Sequence, residues 1–277
     1  MPHAVEADQP ATRSTKTPNT KTSSSRELRQ LHILYNKTRT QYLESTLSLS
    51  IAKLLESKNR PALTKIVSLG LGSLKSTDQG RRIKQLTIFL AIAEQLQLQE
   101  IYAQDPSFSK TDEAFLQSLG VHILSTPSPI DVGEAAQFID ESTLVYCPFL
   151  TLEAYQLFFS TSTFNFFIGD DFDALRIKWP KRSAGWKEAE SLSRRFVQGL
   201  RKRVIAGDDE FWDAEDKPFP MAMYQRQQEK KPKAKLWKWE FESRRYQKAH
   251  PIGIGNCMLC KIRVVTAPDV EIPNSHV

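Results

Sequence analysis

Apolar positions along the chain switch between two periods, and the switches divide it into elements. Leu28, Leu31, Leu34, Leu43, Leu47, Ile51, Leu54 and Leu55 recur at mostly helical spacing, which predicts one long helix, or two, ending before Pro61. Residues 64–69 (TKIVSL) are a short apolar run entering Gly70-Leu71-Gly72, the pattern of a buried strand that meets a tight turn. Ile83, Leu86, Leu90 and Ala93 then mark one face of a helix, with capping oxygens expected from residues 76–78. The alternation continues with strands expected at 100–104, 121–124, 143–147 and 164–168. Helices are expected at 111–119, closed by Gly120, at 134–139 and at 152–159.

Parallel neighbours need a crossover between them, so five short strands separated by helices predict an α/β, Rossmann-like doubly wound sheet, mainly parallel. This domain is expected over residues 26–178, including the N-terminal helix. Trp186, Ala189, Leu192, Phe196, Leu200 and Val204 predict one further basic amphipathic helix within 179–207. Residues 1–25 are rich in Ser, Thr, Pro and Lys and poor in large apolar side chains, so they form an expected disordered arm. Residues 208–277 are expected to be a largely disordered tail, with Trp237, Trp239 and Phe241 as its one patterned segment.

Composition adds limits on class. Hydrophobic content of 40% and charged content of 25% are ordinary for a globular protein. No run of 18 apolar residues is present, so no membrane span is expected, and no apolar segment of a secretory signal follows the start. Three cysteines make no disulfide framework, which points to a reducing, intracellular setting in cytoplasm or nucleus. The net charge of +6 is distributed in blocks: ten Lys or Arg against two Glu from Arg176 to Arg203, then an acidic stretch to Asp216. Such blocks read as solvated surface more readily than as a nucleic-acid site.

Candidate chemistry follows from the sheet. In open parallel sheets ligands sit at the carboxyl ends of the strands, where strand order reverses. That nominates Gly70, Gly72 and Ser73 after the first strand, Asp105 after the second, Cys147 after the fourth, and Asp170 and Asp171 after the fifth. Glycines let the backbone approach a ligand closely, and a carboxylate such as Asp105 can accept the hydroxyls of a ribose. The place of the third glycine of a dinucleotide fingerprint is taken by Lys75, and no Walker lysine is in frame. A purely structural turn at Gly70–Gly72 and an ordinary Asp-Pro turn at Asp105 are the competing readings.

Asp170, Asp171 and Asp173 have the chemistry of cation ligands but read better as solvated caps. Cys147 reads as a small buried residue and His122 as a core or surface residue. Cys257 and Cys260 have zinc-like spacing without a second pair, so no metal site is expected. No Gly-x-Ser-x-Gly elbow is present. The aromatics Trp237, Trp239 and Phe241 favour a protein partner, or a return to the folded domain, over nucleic acid.

Residues 66–73 (IVSLGLGS), Gln85-Leu86, residues 102–108 (YAQDPSF), Leu116 to Gly120, residues 143–148 (TLVYCP) and Tyr155 form an ordered series. Taken together, that series resembles the Sensitivity-to-Red-light-Reduced-like domain family over residues 64–172. The resemblance implies a Rossmann-like domain in a family linked to regulation, with no established biochemical activity. Family members usually carry His-Cys after the fourth-strand proline, where this chain has Phe149-Leu150. They usually carry Gly-Asn after the fifth strand, where this chain has Gly169-Asp170. The first departure counts against a shared catalytic step. The resulting expectation is a regulatory protein acting through partner binding, with a bound nucleotide as an option at the rim. The alternative is a methyltransferase-like enzyme holding S-adenosylmethionine at Gly70, Gly72 and Asp105.

Overall fold

The computed structural model describes residues 20–56, 62–126, 132–162, 164–206, 211–212 and 220–226. Contacts divide the chain after Gln228, and every described residue lies in the first unit. The disordered arm expected at 1–25 falls largely outside the described residues. So do Trp237, Trp239, Phe241, Cys257 and Cys260.

Two helices open the chain, α1 (Thr20–Glu44) and α2 (Thr46–Leu55), separated where the Ser45 hydroxyl accepts the Ser48 N–H and caps α2. Strands and helices then alternate: β1 (Lys65–Leu69), α3 (Gln79–Gln95), β2 (Glu100–Gln104), α4 (Lys110–Ser118), β3 (His122–Ile123), α5 (Ala135–Phe138), β4 (Thr143–Tyr146), α6 (Leu152–Thr161) and β5 (Phe166–Asp170). Beyond them lie α7 (Phe172–Ile177), α8 (Ala184–Leu192), a π-helical turn (Ser193–Val197), β6 (Leu200–Ile205) and β7 (Met221–Arg226).

The sheet is mixed and has seven strands in the order β3-β2-β1-β4-β5-β7-β6. Strands β1 to β5 are parallel, while β7 pairs antiparallel with both β5 and β6. The expectation of five parallel strands is therefore corrected by two additional strands. The single helix expected within 179–207 is corrected as well: it stops at Leu192, and Leu200 to Ile205 run as an edge strand instead. Expected capping by residues 76–78 is also absent: Asp78 occupies the cap position of α3 without a side-chain bond and pairs with Arg81 at 2.7 Å.

Side chains alternate across the strands and feed two cores. Ile66, Leu144, Tyr146, Phe166 and Ile168 face α1 to α4. Val67, Val145, Cys147, Phe167 and Tyr224 face the helices of the other side, among them α6 and α8. Helix α3 is nearly enclosed, with Ile83 to Leu90 all buried, including the polar Lys84, Gln85 and Thr87. Among the described residues, no helix is long and apolar enough to cross a membrane.

Candidate functional site

Strand order reverses between β1 and β4, so the crevice lies where the loops after these strands diverge. Gly70 and Gly72 have φ of +74° and +76°, a left-handed backbone that side-chain-bearing residues adopt at a cost. Space is short as well. A Cβ at Gly70 would meet Leu150 Cδ2 at 2.1 Å, and one at Gly72 would meet Arg82 Cζ at 2.7 Å.

The donors of this turn are used internally. Gly70 N–H donates to the Gln104 carbonyl (3.2 Å), Gly72 N–H to Asp105 Oδ2 (2.7 Å) and Leu74 N–H to Asp112 Oδ1 (3.2 Å). Ser73 Oγ donates to Asp112 Oδ2 at 2.8 Å. Asp112 is fully buried and also accepts the Ser109 N–H, so it ties the glycine turn to the capping box of α4. Asp105 accepts at Oδ1 from the Ser107 N–H (2.8 Å), the bond of an ordinary Asp-Pro turn. The Ser107 hydroxyl donates to the same oxygen, so of about four acceptor positions Asp105 retains one.

The loop after β4 closes the other wall. Phe149 has φ of +67°, and its N–H donates to Asp170 Oδ1 at 3.0 Å. Its ring meets Trp212 edge-on, and Lys84 lies beneath Phe211 and Trp212 at cation–π distance. Asp170 ends β5 with 2% exposure, and burial pushes its carboxyl up to about 7. The Phe149 N–H, the Tyr155 hydroxyl and the charge of Lys178 oppose that shift. Lys178 is itself lowered by burial, with a contribution from Arg81.

Tyr155, fully buried on α6, holds the loop to the strand: its hydroxyl donates to the Cys147 carbonyl at 2.6 Å and accepts the Asp170 N–H at 3.1 Å. Removing that oxygen leaves two buried groups unpaired, at about 1–3 kcal/mol. Tyr155→Phe should therefore lower unfolding free energy by about that amount in a urea titration. An unchanged midpoint would remove the bridge from the account.

Asp171 does not join the rim as a ligand group. It caps α7 by accepting the Asp173 N–H (3.0 Å), and it pairs with Lys202 at 2.9 Å, which also reaches Asp173. Cys147 is buried, and burial pushes its thiol up, away from the reactive thiolate. His122 is exposed on β3 and packs against Tyr102, remote in strand order from the crevice. Among the described residues, no cluster of three or more His, Cys, Asp or Glu is placed to hold a metal.

Sequence reasoning missed Arg81, Arg82 and Gln85 on the first turns of α3. Gln85 is 1% exposed, its backbone carbonyl accepts the Tyr146 hydroxyl (3.1 Å), and its Oε1 accepts from Arg82 Nη1 (3.4 Å). Its Nε2, with Nε of Arg81 and of Arg82, is buried without a hydrogen-bond partner. Of these, Arg82 lies against the glycine turn, where a Cβ at Gly72 would come within 2.7 Å of its Nε. Helical periodicity carried no hint of this, since it reads polar residues in an amphipathic helix as solvent-facing. The capping pattern Ser109-x-x-Asp112 was legible and could have identified the anchor of Ser73.

Comparison with solved structures returns TomG, an O-methyltransferase from Streptomyces achromogenes in complex with SAM, at 11% identity and TM-score 0.38, covering 70% of this chain and 90% of that one. It also returns a fibrillarin/Nop5p complex at 10% identity and TM-score 0.37, covering 64% of this chain and 79% of that one. Likeness at this level transfers neither activity nor ligand. No curated protein matches the chain. The SRR1 domain, in contrast, matches residues 40–256, a span that runs from α1 past β7 and takes in the glycine turn, Asp105, Tyr155 and Asp170. On that match the chain belongs to the SRR1 domain family.

Proposed function

We propose that this chain is a regulatory protein whose rim between β1 and β4 holds a small adenosine-type ligand, and that it acts by engaging a protein partner rather than by catalysis. The observation that supports the ligand is a pair of unpaired buried donors, Nε of Arg82, which lies against Gly72, and Nε2 of Gln85, whose Oε1 accepts from Arg82. Buried donors without partners are rare in folded proteins, and a ligand carboxylate or phosphate would satisfy them. Asp105, with one acceptor position left at the end of β2, suits a single ribose hydroxyl. Against catalysis stands the apolar β4 loop: Leu150 lies over Gly70, and Phe149 is locked to Asp170.

A second reading, a methyltransferase-like enzyme using S-adenosylmethionine, is favoured by one feature. Asp170 is a buried carboxyl at about 7, the range suited to a general base near neutral pH.

Calorimetric titration of the full chain with S-adenosylmethionine and with AMP tests both readings. Saturable binding is expected, weakened about ten-fold or more in Arg82→Ala at an unchanged melting temperature, and in Asp105→Ala, which also loses the Gly72 bond and should melt lower. Absence of heat with either compound from folded protein would leave the glycine turn as architecture. Methyl transfer to an acceptor, lost in Asp170→Asn, would favour the second reading over the first.

A further inference from the structure

A second cleft lies away from the rim, where α6 ends, the π-helical turn passes into β6, and β7 terminates. Its volume is ≈ 340 Å³, within the range of small-molecule sites. Phe164 leads into β5 from its amino end, so this cleft opens toward the edge of the parallel strands opposite the β1–β4 rim.

The walls combine two chemistries. Phe159, Phe164 and Phe196 supply aromatic surface: Phe159 and Phe196 stack at 5.1 Å between centroids, and Phe159 and Phe164 stand at 5.4 Å. Arg195 and Arg226 supply guanidinium groups, and among the described residues the lining contains no acidic side chain. Neither arginine forms an ion pair among the described residues, although Arg194, next in sequence, pairs with Glu190. Ser162 Oγ, also in the lining, is buried without a hydrogen-bond partner.

Local backbone geometry builds the cleft. The chain leaves α8 through the five-residue π-helical turn, a rare conformation often retained at functional sites, and Gly199 at φ +93° then redirects it into β6. The turn brings Phe196 onto Phe159 and holds the Arg195 guanidinium 5.4 Å from the Phe196 ring.

We infer that this cleft is a second binding site, for a small molecule that joins an aromatic ring to an anionic group. The half-buried Phe196, backed by Phe159 and Phe164, gives the ring an apolar surface, and the two guanidiniums receive the anion by charge-assisted hydrogen bonds, with Ser162 Oγ as an additional polar contact. Neither part alone accounts for the walls. A purely apolar ligand would leave the arginines unused, and a bare anion would leave the apolar wall unused.

Phenyl phosphate is the probe, titrated into the full chain by calorimetry, with inorganic phosphate and phenol as separate titrants. Saturable binding of phenyl phosphate is expected, about ten-fold or more tighter than either half alone. The double variant Arg195→Gln/Arg226→Gln should weaken it by a similar factor, and Phe196→Leu should weaken it while preserving bulk. Melting temperatures of these variants report folding separately. Absent saturation, equal affinity for inorganic phosphate, or a double variant indistinguishable from the parent would each overturn the inference.

Discussion

Asparagine in place of Asp170 is expected to raise the melting temperature at pH 8 by about 5–10 °C and to change it little at pH 4. In the folded chain burial holds the Asp170 carboxyl at about 7, whereas in the unfolded chain it ionises near 3.9. Between those values the folded state binds more protons than the unfolded state, so stability falls as pH rises through this window and stays low above it. Three units of raised pKa correspond to a cost of about 3–4 kcal/mol once the group is ionised. Asparagine keeps an oxygen to accept the Phe149 N–H and removes the charge. Thermal unfolding of parent and variant across pH 4–8 checks this: the parent should lose stability toward pH 8, and the variant should lose much less. Parallel curves would mean that Asp170 reaches solvent or a compensating cation when ionised.

The second large effect tests the part of the sheet that sequence did not anticipate. Phe167 on β5 is fully buried, sits in register with Tyr224 on β7 and stacks on it at 4.4 Å, with Phe164 and Phe159 at its edges. Phe167→Ala should cost about 3–5 kcal/mol, combining lost burial with the cavity left behind. The melting temperature should fall by about 10 °C. A loss under about 1 kcal/mol would mean that β7 does not cover β5 as described.

Why β6 and β7 escaped sequence reading is physical. Residues 200–205 (LRKRVI) form the edge strand among the described residues, and Leu200 and Val204 continue the helical spacing of α8. Residues 221–226 (MAMYQR) are buried on both faces between β5 and β6, so no period of two marks them, and the preceding segment is acidic. By contrast, β1 to β5 are short apolar runs closed by Gly or Pro or followed by a helix pattern, and these signals are local. The strand reversal at β1 and β4 follows from that order.

The candidate site was partly legible for the same reason. Gly70, Gly72, Asp105 and Asp170 stand at strand ends and can be counted along the chain. What they bond to cannot. Asp105 and Ser73 are engaged by neighbours within the protein, and Asp170 becomes a buried carboxyl through its place under Tyr155 and Tyr224, contacts separated from it by 15 and 54 residues. Arg82 and Gln85 gain their interest only because α3 is enclosed, which depends on α1 packing over it.

The most direct measurement of the central claim is backbone amide chemical-shift mapping of the full chain during titration with AMP and with S-adenosylmethionine. The account predicts saturating shifts at the amides of Gly70, Gly72, Asp105, Phe149 and the first turns of α3, together with the side-chain amide of Gln85, separate from any AMP response at the Arg195–Phe196 cleft. Shifts absent from these positions, or centred on another surface, would contradict a ligand site at the β1–β4 rim.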